Sequence, residues 1–275
     1  MTLFDAGRPE PATGPPAPTV TVRATVAYDG APFHGFAANP GVATVGGTLG
    51  AAIGQVLGRS VELTCAGRTD RGVHARGQVV SFDAPAEGLD VCALQRRVNR
   101  MAGPAIAVRD VALADPGFSA RFSALSRSYR YLVLNRAVPD PFLAGRVWHI
   151  EQPLDRYALD LACDPLVGEH DFAAFCRRPK RRDGSEASLV RRVTGARWVD
   201  EGEGLLRFEI EATAFCHQMV RSIIGTLVAV GLGRLSAGDV LGILRGGDRQ
   251  GAGDLASPQG LTLWSVGYDG WSSVL

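Results

Sequence analysis

Lysine is almost absent from this sequence, and its basic residues are nearly all arginine. The chain has 275 residues, of which 29 are Lys or Arg, and Lys180 is the single lysine. Arginine binds phosphate through paired hydrogen bonds and stacks on bases, so this bias is compatible with RNA contact. Arg-rich, Ala-rich usage can equally reflect genome composition, and the net charge is only +1. Composition alone therefore does not indicate a nucleic-acid-binding protein.

Cysteine is sparse, and its spacing is not that of a cross-linked or zinc-binding protein. The five cysteines are odd in number and never form a C-x-x-C pair; they are Cys65, Cys92, Cys163, Cys176 and Cys216. This pattern argues against a disulfide framework and against a metal site, and it indicates a reducing compartment.

Long hydrophobic runs are also missing. Residues 1–20 lack the basic and apolar regions of a signal peptide. No run approaches the roughly 18 apolar residues of a transmembrane helix. The sequence therefore predicts a cytoplasmic protein with no membrane partner.

Strand and helix patterns alternate twice along the chain. Residues 1–20 are rich in Pro, Gly and Ala without periodicity, which predicts a disordered tail. Residues 21–114 and 115–275 each combine alternating β-branched runs with amphipathic runs, which predicts two α+β subdomains with a cleft between them. The clearest elements are strands at Thr21–Asp29, Gln78–Phe82, Tyr129–Asn135, Arg197–Val199, Leu205–Ala212 and Leu261–Tyr268, and helices at Thr48–Leu57, Cys92–Met101 and His217–Leu232.

Asp70 is the carboxylate most suggestive of chemistry. It lies between Arg68 and Arg71 in a segment bounded by Gly67 and Gly72. Nearby cations lower a carboxylate pKa by roughly 1–3 units, and a desolvated, ionised carboxylate can act as a nucleophile or base. From this segment alone, the favoured alternative is an Arg–Asp ion pair in a surface turn. No second carboxylate has an acid–base spacing, so a glycosidase pair is not indicated.

A longer pattern around Asp70 resembles the tRNA pseudouridine synthase A family. Its most specific part is Gly67-Arg68-Thr69-Asp70-x-Gly72-Val73-His74-Ala75, followed by Gly77-Gln78-Val79-Val80. Further matching segments, in order through residues 21–270, are Tyr28-Asp29-Gly30 with Phe33 and Gly35; Phe118-Ser119-Ala120-Arg121-Phe122-Ser123-Ala124 with Arg127, Tyr129, Arg130 and Tyr131; His170-Asp171-Phe172 with Phe175; Phe215, His217 and Met219-Val220-Arg221 with Gly225; and Ser257-Pro258 with Gly260-Leu261.

The resemblance implies an enzyme that detaches uracil from its ribose in the tRNA anticodon stem-loop and rejoins it through carbon, with no cofactor. Asp70 would start glycosidic cleavage as nucleophile or base, Tyr129 would stack on the uracil, and Arg221 would pair with Asp70 across the cleft. The fold implied is the α+β pseudouridine synthase fold, in which two subdomains with mainly antiparallel sheets flank a central basic cleft. A homodimer is implied as well.

Other side chains are expected to bind the substrate or shape its pocket. They are Arg68, Arg71, His74, Arg121, Arg127, Arg178, Lys180 and His217. Arg68 is expected to position the loop, and for His74 and His217 the favoured alternative is a hydrogen bond or packing within the protein. The run Arg177–Arg182 holds five cations in six residues, and it is either a solvated loop or a phosphate contact.

The chain departs from the family pattern where substrate is expected to bind. Phe36-Ala37-Ala38-Asn39 replaces W-x-x-Q, Thr44–Gly50 departs from T-V-Q-G-x-L-E, and a basic stretch after Phe175 replaces R-A-x-x-C-Q. Two alternatives therefore remain open. One is a divergent paralogue that makes pseudouridine from another RNA or a free nucleotide, and the other is a non-catalytic RNA-binding module.

Overall fold

The protein is an α+β structure, described by a computed structural model over residues 18–178 and 187–274. The strands are Thr19–Tyr28 (β1), Thr64–Cys65 (β2), His74–Pro85 (β3), Ile106–Leu113 (β4), Ser126–Asn135 (β5), Trp148–Ile150 (β6), Gly168–Asp171 (β7), Val190–Gly202 (β8), Leu205–Ala212 (β9), Leu261–Tyr268 (β10) and Trp271–Ser272 (β11). The α-helices are Val45–Leu57 (α1), Val91–Ala102 (α2), Arg156–Leu161 (α3), Met219–Gly231 (α4) and Asp239–Gly246 (α5). Short 3-10 turns cover Asp164–Leu166, Ala173–Phe175, Arg249–Gly251 and Pro258–Gly260.

One continuous, mainly antiparallel sheet runs through the molecule, which confirms the predicted fold class. Its main order is β4-β1-β3-β10-β5-β9-β8-β7, with β2 on β3, β6 on β5 and β11 on β10. The strands of the two predicted subdomains are thus joined rather than separate. β10 makes the join, because it pairs in parallel with β3 and antiparallel with β5. The division near residue 115 stays a prediction.

Helix ends and burial follow from the local sequence. Thr44 accepts a hydrogen bond from the Gly47 amide at the start of α1, and Asp90 does the same for Ala93 at the start of α2. Such side-chain caps satisfy amides that have no partner within the helix. Helix α4 is apolar on nearly every side and is buried over most of its length, as expected for a helix inside the core. None of the described helices is long and apolar enough to cross a membrane.

The predicted elements differ from the structure mainly at their ends. β1 begins at Thr19 rather than Thr21, because Thr19 and Val20 pair with Pro85 and Ala84 of β3. The strands β6, β7 and β11 were not expected, and β8 begins at Val190 rather than at Arg197. The remainder of the predicted tail, residues 1–17, lies outside the described residues, as does Lys180.

Candidate active site

Asp70 lies in a tight loop between β2 and β3, and the loop is fixed from several sides. The Val73 amide donates to the Asp70 carbonyl at 3.1 Å, and Gly72 supports the turn with a φ of 78°. Such a positive φ is accessible to glycine without the steric cost that other residues incur. On one side of the loop, the Tyr28 hydroxyl lies 2.8 Å from Oγ1 of Thr69. Thr69 and Asp70 are therefore held in one conformation by neighbours on both sides.

Gln78 anchors the other end of the same loop. Its side chain is fully buried, and its amide groups donate to the Gly67 carbonyl at 2.5 Å and accept from the Gly67 amide at 3.3 Å. The sequence reasoning assigned Gln78 no role. A polar side chain at an inward position of an alternating strand was the available signal, because buried polar groups are kept only with partners.

Two side chains from the opposite wall contact the Asp70 carboxylate. Nη1 of Arg221 lies 3.4 Å from Oδ2, and Nε2 of His217 lies 3.3 Å from Oδ1. Nε of Arg221 also donates to the Ala256 carbonyl at 2.7 Å, which fixes the guanidinium in place. The pairing with Arg221 that the resemblance implies is thus present. The Asp70 side chain is 28% exposed, so the carboxylate is accessible to solvent beside Arg221 and His217; these three side chains together with Tyr129 are called the recess below.

The sequence neighbours of Asp70 do not supply its ion pairs. Arg68 and Arg71 are both exposed, and the basic side chains that contact the Asp70 carboxylate, among the described residues, are His217 and Arg221. The Arg–Asp ion pair that the segment alone favoured is therefore not formed between these described residues. Both arginine side chains are exposed at the surface, and their roles in positioning the loop and binding substrate stay predictions.

Tyr129 lies beside the loop, on β5, and is only 7% exposed. A Cβ placed on Gly67 would come within 3.7 Å of its hydroxyl, so the phenol and the loop are neighbours. The ring of Phe215 packs edge-on against it, with centroids 5.1 Å apart and planes at 87°. Burial raises the pKa of Tyr129, the nearby Asp70 adds to this, and Arg127 opposes it. The phenol is therefore neutral at physiological pH and offers both an apolar face and a hydroxyl.

Arg127 braces the loop from behind. Its guanidinium is buried and donates to the carbonyls of Ala66, Arg121, Ala124 and Thr213. These contacts tie the start of the Asp70 loop to the segment before β5. Because the guanidinium already donates to main-chain carbonyls, its contacts do not favour substrate binding by Arg127, which stays a prediction.

His74 is similarly turned into the protein, with 1% exposure. Its Nδ1 accepts from the Gly30 amide at 3.0 Å, and Oδ1 of Asp29 lies 3.0 Å from the same nitrogen. Burial lowers the pKa of His74, Arg146 adds to this, and Asp29 opposes it. These contacts tie His74 to the segment that follows β1, within the protein but outside the Asp70 loop, and RNA contact by His74 stays a prediction.

The remaining predicted binding residues lie at the surface or outside the described residues. Arg121 is exposed and lies over the ring of Phe122, 5.2 Å from its centroid, and Phe122 is itself largely exposed. Arg178 is exposed at the end of the stretch 18–178. Lys180 falls within residues 179–186, outside the described part. Within that described part, no three His, Cys, Asp or Glu side chains are grouped so as to hold a metal ion.

One disulfide lies beside the recess, although the cysteine spacing argued against a disulfide framework. The structure joins Cys176 and Cys216, whose Cα atoms are 5.8 Å apart. Cys176 follows the 3-10 turn Ala173–Phe175, and Cys216 directly precedes His217. The fold brings together two cysteines that are 40 positions apart in sequence, and no local sequence pattern predicts that they are close in space.

A surface groove of about 400 Å³ lies across strands β5, β8, β9 and β10. Its charged lining is largely paired, since Glu209 contacts Arg130 at 2.9 Å and Arg197 at 2.6 Å. Asp70, His217 and Arg221 do not line the groove, but Tyr129 does. Tyr129 therefore belongs both to this groove and to the surroundings of the Asp70 loop.

Comparison with known proteins agrees with this geometry. A profile described as tRNA pseudouridine synthase matches residues 162–269. The tRNA pseudouridine synthase A of Caulobacter sp. (strain K31) is 37% identical over 252 residues, covering 90% of this chain and 98% of the relative. The protein of that name from Frankia casuarinae is 42% identical (90% and 89% covered), and that from Chromobacterium violaceum is 41% identical (88% and 91%). Such identity over nearly the whole length shows that the chain belongs to the tRNA pseudouridine synthase A family.

Proposed function

We propose that this protein isomerises uridine to pseudouridine in the anticodon stem-loop of tRNA. The observation that carries the proposal is the contact of Asp70 with Arg221 and His217, beside the buried ring of Tyr129. Family membership gives the reaction class, and the recess supplies a carboxylate, cations and an aromatic surface in one place. This combination is what the detachment and re-attachment of a uracil requires.

In this proposal Asp70 starts the cleavage of the glycosidic bond, as nucleophile or as base. Nη1 of Arg221 lies 3.4 Å from Oδ2 of Asp70 and faces the carboxylate across the recess. The Ala256 carbonyl accepts a hydrogen bond from Nε of Arg221 and keeps the guanidinium oriented toward Asp70. Arg221 therefore positions the carboxylate.

Tyr129 provides the stacking surface for the uracil that leaves the RNA stack. Extruding a base costs a few kcal/mol, and stacking a base on an aromatic side chain returns roughly 1–3 kcal/mol. The ring lies next to the Asp70 loop, so a stacked uracil would lie within reach of the carboxylate. The exposed side chains Arg68, Arg71 and Arg121 are suited to bind the phosphates around it.

We also propose a cytoplasmic homodimer, on the strength of the family resemblance alone.

The paralogue and RNA-binding alternatives predict different behaviour. A paralogue would act on free uridine nucleotides without RNA. A binding module would hold tRNA with salt-sensitive affinity and release no product.

The test is tritium release from tRNA labelled at C5 of uridine, under multiple-turnover conditions. The parent protein is expected to release tritium, and Asp70→Asn is expected to release none above background while still binding tRNA. Asp83→Asn is the matched control, since Asp83 is an exposed aspartate on β3 that accepts a hydrogen bond from Oγ1 of Thr21 at 3.1 Å, outside the proposed site. Full activity of Asp70→Asn would refute the role of Asp70. No release by the parent from any tRNA would refute the function, and free uridine nucleotides would then test the paralogue.

A further inference from the structure

The disulfide between Cys176 and Cys216 joins two segments that meet at the wall of the recess. Next to the cross-link, the Arg177 amide donates to the His217 carbonyl at 2.9 Å. Through His217, this wall contacts Asp70 at 3.3 Å. On the other side of Cys216, Phe215 packs edge-on against Tyr129. The cross-link therefore fixes the two residues that cover the carboxylate and the aromatic ring.

The other three cysteines lie apart from this pair and are free. Burial raises the pKa of the Cys65 thiol to about 11 and that of Cys163 to about 12. At neutral pH both remain thiols, which react poorly because the thiolate is the nucleophile. Cys92 is exposed and has no bonded sulfur partner. The Cys176–Cys216 pair is thus the place in the described chain where a reversible intramolecular cross-link can form.

We propose that Cys176 and Cys216 form a redox-sensitive clamp on the Asp70 recess, closed by a low-molecular-weight disulfide and opened by a thiol. The effect on catalysis rests on the function proposed above. The clamp itself is a property of the two cysteines and is measurable without RNA.

The exchange balances without any further reagent. The Cys216 thiolate, at the more exposed of the two positions, attacks one sulfur of the external disulfide and displaces one thiolate. The Cys176 thiolate then attacks the Cys216 sulfur and displaces the second. Two protein thiols are oxidised, one external disulfide is reduced to two thiols, and the two protein protons leave with them.

The closed clamp opposes substrate entry. Tyr129 is only 7% exposed, and Phe215 packs edge-on against its ring, so movement of Phe215 widens the access of a uracil to that ring from the Phe215 side. The residue that follows Phe215 is the cross-linked Cys216. Holding Cys216 against Cys176 restricts that movement. The oxidised protein is therefore expected to turn over more slowly than the reduced protein.

The first experiment maps the cysteines in the full-length protein. The protein is equilibrated in glutathione buffers of increasing disulfide content, alkylated and analysed by mass spectrometry. Cys176 and Cys216 are expected to lose alkylation together, while Cys65, Cys92 and Cys163 form no intramolecular bond. Amide hydrogen exchange of residues 215–221 is expected to slow in the oxidised form. Full alkylation of the pair throughout, or equal exchange in both forms, would overturn the clamp.

The second experiment compares tritium release by the two redox forms. Reduced parent is expected to have a kcat/KM at least fivefold above that of oxidised parent, and Cys216→Ala to change by less than twofold between buffers. Cys176→Ala repeats the test from the other partner. Equal rates of the two parent forms, or an equal response of Cys216→Ala, would refute the effect of the clamp on catalysis. Absence of release in both forms would instead refute the proposed function, and the exchange measurement would still decide on the clamp.

Discussion

Gly225, in the middle of α4, is where the core and the proposed catalytic site are most directly coupled. A Cβ at this position would lie 1.6 Å from the Asp254 carbonyl oxygen and 2.8 Å from its carbon. To reach even 3.0 Å, that carbonyl would have to move by about 1.4 Å. Main chain cannot swing aside as a flexible side chain does, so Gly225→Ala forces the segment after Asp254 away from the helix.

Gly242, a second helical glycine, is a matched reference for the free-energy change that Gly225→Ala causes. In both positions alanine gains roughly 0.5–1 kcal/mol from helix propensity. Gly242, in α5, is exposed and has nothing within 4 Å of its added Cβ, so Gly242→Ala keeps that gain. At Gly225 overpacking costs typically about 1–3 kcal/mol, and a clash this short with main chain places the cost at the upper end, so a net loss of about 2 kcal/mol or more is expected. That corresponds to a fall of roughly 4–8 °C or more in Tm, against a small rise for Gly242→Ala.

Activity is expected to fall further than stability accounts for. The displaced segment includes Ala256, whose carbonyl accepts from Nε of Arg221 at 2.7 Å. Once that acceptor moves, the guanidinium loses its orientation toward Asp70. Calorimetry and tritium release on the two variants test this. A Tm for Gly225→Ala equal to that of Gly242→Ala would refute the packing argument, and an unchanged kcat in a destabilised Gly225→Ala would refute the coupling to Arg221.

Two further outcomes are expected. Gln78→Leu leaves the Gly67 amide and carbonyl without the Gln78 partners, and it should lower the free energy of unfolding, measured in urea, by about 2–3 kcal/mol. Gln55→Leu, at an exposed position, is the control and should change it little. Equal urea midpoints for the two variants would contradict the anchoring role of Gln78. His74 has a lowered pKa in the folded protein, so the unfolded chain binds the proton more readily and stability is lost as pH falls below about 6.5. His74→Asn should flatten the dependence of Tm on pH between 7 and 5, and an unchanged slope would show that another group is responsible.

Local patterns predicted the long elements because each carries its own signal. β10 was predicted at its observed bounds, Leu261–Tyr268, and α1, α2 and α4 were found within a few residues of theirs. β7 carries no such signal: Gly168–Asp171 is a strand only because it pairs with β8. Its sequence, Gly-Glu-His-Asp, is poor in β-branched and aromatic residues, so tertiary pairing outweighs propensity there.

The same distinction separates the predicted from the unpredicted parts of the site. Asp70, Tyr129 and Arg221 were singled out because motifs mark them, although Asp70 and Arg221 are 151 residues apart. The outward turn of Arg68 and Arg71 could not be predicted, because adjacency in sequence does not determine side-chain direction in a loop. Nor could the inward role of Arg127 be predicted, since its acceptors are main-chain carbonyls that sequence does not identify.

The central position of β10 has a consequence for how the enzyme is assembled. This strand comes after nearly all the others in sequence, yet Leu263 pairs with Ala75 of β3 on one side and with Tyr129 of β5 on the other. The strand that follows the Asp70 loop (β3) and the strand that carries Tyr129 (β5) are therefore not joined in one sheet until β10 pairs with both of them. Contacts so distant in sequence form late and slowly in folding. A nascent chain that lacks residues 261–268 contains both the Asp70 loop and Tyr129, but not the strand that joins β3 to β5. We therefore expect activity to begin only after these residues have been synthesised.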